Sequence, residues 1–121
     1  MSEQSANSQK VGLPDVGQSY LRGATTLPLA HVTIPQMLRD TVERFGARDA
    51  VVFREQNIRL TYVELAEAVD SFAAGLLALG LQKGDRVGIW SPNRFEWLLT
   101  QFATARVGLV LVNINPAYRL S

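Results

Sequence analysis

Leu65, Val69, Phe72, Leu76 and Leu79 recur at intervals of four, three, four and three residues, a series that only an α-helix gathers onto one side. The ends of that helix are also written into the chain. Thr61 can accept a hydrogen bond from the first turn while Glu64, three residues on, reaches back to the Thr61 N–H. Gly80 follows the last stripe residue and takes the left-handed conformation that ends helices, with Leu81 folding back on the final turn. An amphipathic helix of about four turns must bury its stripe against neighbours, so the flanking segments have to supply a core.

The segment upstream predicts a helix over about Thr33 to Phe45. Thr33 is its cap, Gln36 completes a capping box, and Pro35 sits in the first turn, where a missing N–H costs little. Ile34, Leu38, Val42 and Phe45 share one face; Asp40 and Arg44 form a favourable pair on another. Gly46 is expected as the left-handed terminator. Between the two helices, Ala50 to Arg54 and Ile58 to Leu60 read as strands of a hairpin, joined by Glu55-Gln56-Asn57 with Asn57 at positive φ.

Downstream, Lys83-Gly84-Asp85 makes a turn and Arg86 to Trp90 a strand. A third helix starts with Ser91 and Pro92, or in a second register with Asn93 and Glu96 as cap and partner. Phe95, Leu98, Leu99 and Phe102 form its buried side, and Gly108 ends it. Leu109 to Val112 is an unbroken apolar run, expected for a strand covered on both faces. Arg86 to Asn113 is therefore a βαβ unit with parallel strands and a right-handed crossover. The fold class is α/β, in the order helix, hairpin, helix, βαβ. Two parallel strands do not complete such a sheet, so an edge stays open and self-association through it is an expectation. Residues 1–31 are read as a partly mobile lead-in, broken by Gly12, Pro14, Gly17, Gly23 and Pro28, and 32–121 as one folded unit.

Composition narrows function mainly by exclusion. Twelve basic residues against eleven acidic ones are scattered, which argues against a nucleic-acid footprint. There is no cysteine and His31 is the only histidine, so no metal ligand set is expected. Phe72 to Leu81 is the longest apolar run, too short to span a bilayer, and Met1 to Gln9 lacks the apolar core of a signal peptide; a cytoplasmic location is the expectation.

Phosphate-binding motifs are missing too. Gly80, Gly84 and Gly88 lie before and within a strand rather than between strand and helix, and Gly23-Ala24-Thr25-Thr26 has neither a preceding strand nor a following lysine. Glu64 serves the cap and Glu67 a solvated face; Trp90 and Trp97 are read as packing residues rather than pocket walls. From the residues alone, the catalytic, cofactor-binding and metal-ligating sets are all empty.

Four segments nevertheless resemble, in order and spacing, the adenylate-forming (AMP-binding, acyl-CoA synthetase) family. They are Leu60-Thr61-Tyr62-Val63-Glu64-Leu65; Leu79 through Val87; Ser91-Pro92-Asn93 followed by Glu96-Trp97; and Ala105-Arg106-Val107-Gly108 through Asn113-Ile114-Asn115-Pro116. The resemblance covers about residues 33 to 121, and the ending Asn113-Ile114-Asn115-Pro116-Ala117-Tyr118-Arg119-Leu120 together with Trp90-Ser91-Pro92-Asn93 resembles bacterial fatty-acyl-CoA synthetases most. The resemblance implies the opening segment of that family's large N-terminal domain, with an incomplete sheet. For the full-length enzyme it implies ATP, Mg²⁺ and coenzyme A: a carboxylate forms an acyl-adenylate, and a thiol then displaces AMP.

The chain departs from the family pattern where that chemistry would reside. It lacks the glycine-rich loop ending in Pro-Lys-Gly, the acidic residues that hold ribose and metal, and the C-terminal lysine. Its two lysines, Lys10 and Lys83, match no motif. The resemblance thus implies a fragment with no cofactor of its own, whose partner is the remainder of a ligase chain; an interaction module derived from that domain is the alternative. Whether the 121 residues are themselves an enzyme is left open.

Overall fold

A computed structural model describes residues 28–118. Every helix and strand in it lies in one compact unit, Val32–Ser121. Most of the expected lead-in, including Gly23 to Thr26, lies outside the described residues.

Helix α1 (Ile34–Phe45) leads to a hairpin of β1 (Asp49–Phe53) and β2 (Ile58–Thr61), joined by the 3-10 turn Arg54–Gln56 with Asn57 at φ 51°. Helix α2 (Tyr62–Ala78) follows directly, then β3 (Arg86–Trp90), α3 (Phe95–Val107) and β4 (Val110–Ile114). The hairpin is antiparallel, and β3 and β4 are parallel, with Arg86 opposite Val110 and Trp90 opposite Ile114. No described helix is long and apolar enough to cross a membrane.

The signals at α2 act as expected, while α1 forms only half of its expected box: the Gln36 side chain bonds Asp40 and Arg39 instead of reaching back to the Thr33 N–H. Thr33 Oγ1 accepts from the Gln36 N–H at 3.3 Å. The Glu64 carboxylate accepts the Thr61 N–H at 2.7 Å while Thr61 Oγ1 accepts the Glu64 N–H, a complete capping box. Gly80 and Gly108 adopt positive φ.

Gly46 does not. Its φ of −47° is right-handed, so turn geometry is not what demands glycine there. The demand is steric: a Cβ would stand 2.8 Å from the Val42 carbonyl oxygen and 2.9 Å from Val63 Cγ2, where α1 is pressed against the start of α2. The Asp40–Arg44 pair is replaced as well. Asp40 Oδ1 accepts from Gln36 Nε2, and Arg44 lies over the Phe45 ring at 5.1 Å.

The core is centred on α2, but its buried line runs Leu65, Val69, Ala73 and Leu76. Two members of the expected stripe leave it: Phe72 is 38% exposed and Leu79 80%. On α3 the expected buried residues Phe95, Leu98, Leu99 and Phe102 are only half-buried, and the enclosed line is Thr100, Ala103 and Thr104. Small side chains let α3 lie close against α2, and the two hydroxyls are satisfied by carbonyls one turn back, Thr100 to Glu96 and Thr104 to Thr100.

The parallel sheet departs from expectation most. Leu109 is buried and Leu111 half-buried, but Val110, Val112 and Ile114 are 47, 41 and 36% exposed. Only the side toward α3 is covered. The other side, with Gly88 and Trp90, is an apolar face open to solvent, and Trp90 at 61% exposure is no packing residue within this unit.

Candidate functional site

In open α/β sheets, loops at the C-terminal ends of parallel strands carry the binding site, because the backbone there is free of sheet pairing. Here those ends are Trp90 and Ile114, adjacent partners in the ladder. The loops that leave them enclose an open crevice of about 480 Å³, lined by Ser91, Asn93, Trp97, Asn113, Asn115 and Pro116 among others.

Local hydrogen bonds shape its walls. Asn115 Oδ1 accepts the Ala117 N–H at 2.9 Å, and the Asn115 carbonyl accepts the Tyr118 N–H at 3.0 Å, which turns the chain sharply after β4. The Ser91 hydroxyl donates to the Pro92 carbonyl at 3.0 Å. The amides of Asn93 and Asn113 line the crevice beside the half-buried Trp97.

The opposite wall ends at the start of α3. Neither sequence register for that helix holds: α3 starts at Phe95, with Arg94 in the cap position and no local side chain capping it. Gln56 of the hairpin turn does the work instead. Its Oε1 accepts the Phe95 N–H at 2.8 Å, and its Nε2 donates to both Glu96 carboxylate oxygens at 3.2 and 3.0 Å. Nothing in the local sequence around Gln56 signals this role, because its partners lie some forty positions away.

The crevice is electrically neutral: none of its lining residues is Lys, Arg, Asp or Glu. Triphosphate carries several negative charges and Mg²⁺ requires anionic oxygens, so the crevice does not fit ATP·Mg²⁺ by itself. Among the described residues no group of three His, Cys, Asp or Glu is placed to hold a metal ion. His31 is exposed.

The shifted ionisable groups serve the scaffold. Hydrogen bonding to the Thr61 backbone and then its hydroxyl holds Glu64 below the usual carboxylate range. Gln56 does the same for Glu96. Hydrogen bonding to Asp70 raises the Arg106 guanidinium, at a contact of 2.7 Å. That pair sits at the rim of an apolar groove of about 200 Å³ between α1, α2 and α3, which includes Leu38, Val69 and Phe102. Such a groove offers surface complementarity but no reacting group.

Comparison with known proteins identifies the scaffold. A family model described as AMP-binding enzyme matches residues 38–121. The chain is 49% identical over 108 residues to a mitochondrial medium-chain acyl-CoA ligase, ACSF2, of Danio rerio, covering 89% of this chain and 18% of that protein. It is 45% identical over 91 residues to a putative acyl-CoA synthetase, YngI, of Bacillus subtilis, covering 75% of this chain and 17% of the relative.

Among solved structures, a Mycobacterium tuberculosis fatty acyl CoA synthetase superposes with a TM-score of 0.68 at 32% identity, over 71% of this chain and 17% of the other. The N-terminal subdomain of Klebsiella oxytoca NpsA gives 0.67 at 31% identity, over 72% and 22%. The chain spans less than a fifth of the length of the curated relatives it matches. It belongs to the AMP-binding, adenylate-forming enzyme family, and its helix, hairpin, helix and βαβ order matches the N-terminal domains of those enzymes.

Proposed function

We propose that the chain is the opening scaffold of an acyl-CoA ligase. The complete enzyme would join a fatty or other carboxylic acid to AMP at the expense of ATP and pass the acyl group to coenzyme A, while residues 1–121 alone form no acyl-adenylate. One observation carries this reading: the family match runs through residues 38–121, yet the chain spans only 18% of the medium-chain relatives. The neutral crevice supports it, since charge developing on phosphate during adenylate formation requires cations that its lining lacks. ATP, Mg²⁺ and coenzyme A would then be held by other parts of the ligase.

The test is direct. The purified 121-residue chain is incubated with ATP, Mg²⁺ and a medium-chain fatty acid, and acyl-AMP is sought by mass spectrometry. In parallel the reading frame beyond codon 121 is sequenced and its product assayed with coenzyme A. The reading expects no acyl-AMP from the short chain and acyl-CoA from the longer product. Acyl-AMP from the short chain, or a longer product inert toward every carboxylic acid tried, refutes it.

The bare sheet face favours a second reading, a non-catalytic docking module. Trp90, Val110, Val112 and Ile114 expose a contiguous apolar surface of a kind that parallel sheets ordinarily bury. Light scattering separates the two: a well-dispersed monomer that shows no affinity for ligase chains counts against docking and against self-association through the sheet edge.

A further inference from the structure

A helix leaves its first N–H groups without intrahelical acceptors, and a local side chain normally supplies one. Helix α3 has none, and Gln56, from a different supersecondary unit, supplies it with both ends of one amide. Two further contacts tie the same junction. The Phe53 and Phe95 rings meet edge-to-face, centroids 6.0 Å apart and planes at 70°. Arg94 Nε reaches the Glu96 carboxylate at 3.4 Å. The bond from the Phe95 N–H to Gln56 is part-buried and so partly shielded from competing water, whereas those to Glu96 are exposed.

The residues between β3 and this junction, Ser91 to Arg94, form the loop that walls the crevice, and Trp97 projects from the first turn beyond it. Fixing the Phe95 N–H therefore fixes where that loop ends. We propose that Gln56 is a positioning residue for the strand-end crevice: it locks the start of α3 to the β1–β2 hairpin and so sets Asn93 and Trp97 opposite Asn113. This rests on the crevice being the functional site of the scaffold and is independent of which acid the ligase activates. Gln56 touches no reacting atom; it acts through α3.

Amide hydrogen exchange on the full chain, read residue by residue by NMR, tests it. The Phe95 amide has no intrahelical acceptor and donates to the Gln56 side chain, so the change in its protection on substituting Gln56 reports that bond. In Gln56→Ala, Phe95 exchange should accelerate by roughly threefold to tenfold, the range that matches one hydrogen bond of ordinary net strength. The Leu109 amide, held by the Thr104 carbonyl, should keep its rate, and chemical shifts should move at Asn93, Trp97 and Asn113.

Gln56→Glu keeps the acceptor oxygen but sets a second carboxylate beside Glu96. Phe95 should stay protected while Glu96 titrates at higher pH than in the parent chain, a change that a purely space-filling role would not produce. An unprotected Phe95 in the parent chain, an unaltered rate in Gln56→Ala, or unmoved Asn93 and Asn113 signals each overturns the proposal. So does loss of protection throughout the chain, since Gln56 would then support the whole fold rather than one loop. Acyl transfer is not read in any arm, so failure of the ligase assignment and failure of this proposal remain distinct.

Discussion

Leu65 and Leu79 are equivalent in a periodicity analysis and opposite in the structure, which makes them a matched pair of perturbations. Leu65 is 3% exposed in the core with Val69 and Ala73; Leu79 is 80% exposed at the end of α2. Replacing leucine by alanine deletes three carbons. At about 0.8 kcal/mol each, burial alone makes Leu65→Ala cost about 2.4 kcal/mol. An incompletely collapsed cavity adds to this, placing the total in the range of about 2–5 kcal/mol. Leu79→Ala removes atoms already in water and should change stability by less than about 0.5 kcal/mol. A folded unit of this size has only about 5–13 kcal/mol to lose, so the larger effect is a substantial fraction of the whole. The assay is urea denaturation followed by far-ultraviolet circular dichroism, comparing midpoints at constant slope. Equal midpoint shifts for the two variants, or a Leu65→Ala cost below about 1 kcal/mol, would refute the assigned buried face.

Gly46→Ala should destabilise by about 1–3 kcal/mol in the same assay, although its right-handed φ would ordinarily make alanine favourable, because the new methyl overlaps the Val42 carbonyl and Val63. Thr61→Ala removes the capping hydroxyl of α2 and should cost about 1 kcal/mol, read as a lower thermal midpoint. Glu64 and Glu96 both have pKa values lowered from 4.5 in the folded chain, so each adds stability that is present above that pH and lost as the pH falls below it. Denaturation midpoints should therefore decline on acidification from pH 5, and a Glu64→Gln, Glu96→Gln double variant should show a flatter profile over that interval.

Much of the element order was legible because its signals are local. A capping box needs four consecutive residues, a left-handed terminator one glycine, a hairpin turn one asparagine; Thr61 with Glu64, Gly80, Gly108 and Asn57 all behave accordingly. The Leu60–Leu65 and Ala105–Pro116 signatures were legible for the same reason, and the family match over residues 38–121 agrees with them. The start of α3 was not. Ser91, Pro92 and Asn93 look like caps, yet the acceptor comes from Gln56, and no window along the chain joins residues so far apart. Gly46 stands where a sequence expects a conformational glycine but is a steric one, because a methyl there would meet the Val42 carbonyl and Val63, a side chain of the next helix.

By itself, then, the amino-acid sequence determined the family, the succession of helices and strands and the capped ends of α2, since each follows from residues within a turn or two of one another. Only the tertiary structure decided which side of α2 is enclosed, that Phe72 and Leu79 stand in solvent, that Val110, Val112 and Ile114 lie bare on one face of the sheet, and that Gln56 caps α3. The reason is physical: burial and long-range hydrogen bonding are properties of pairs of surfaces. A chain's periodicity specifies one surface, while its partner is chosen by how the other elements pack.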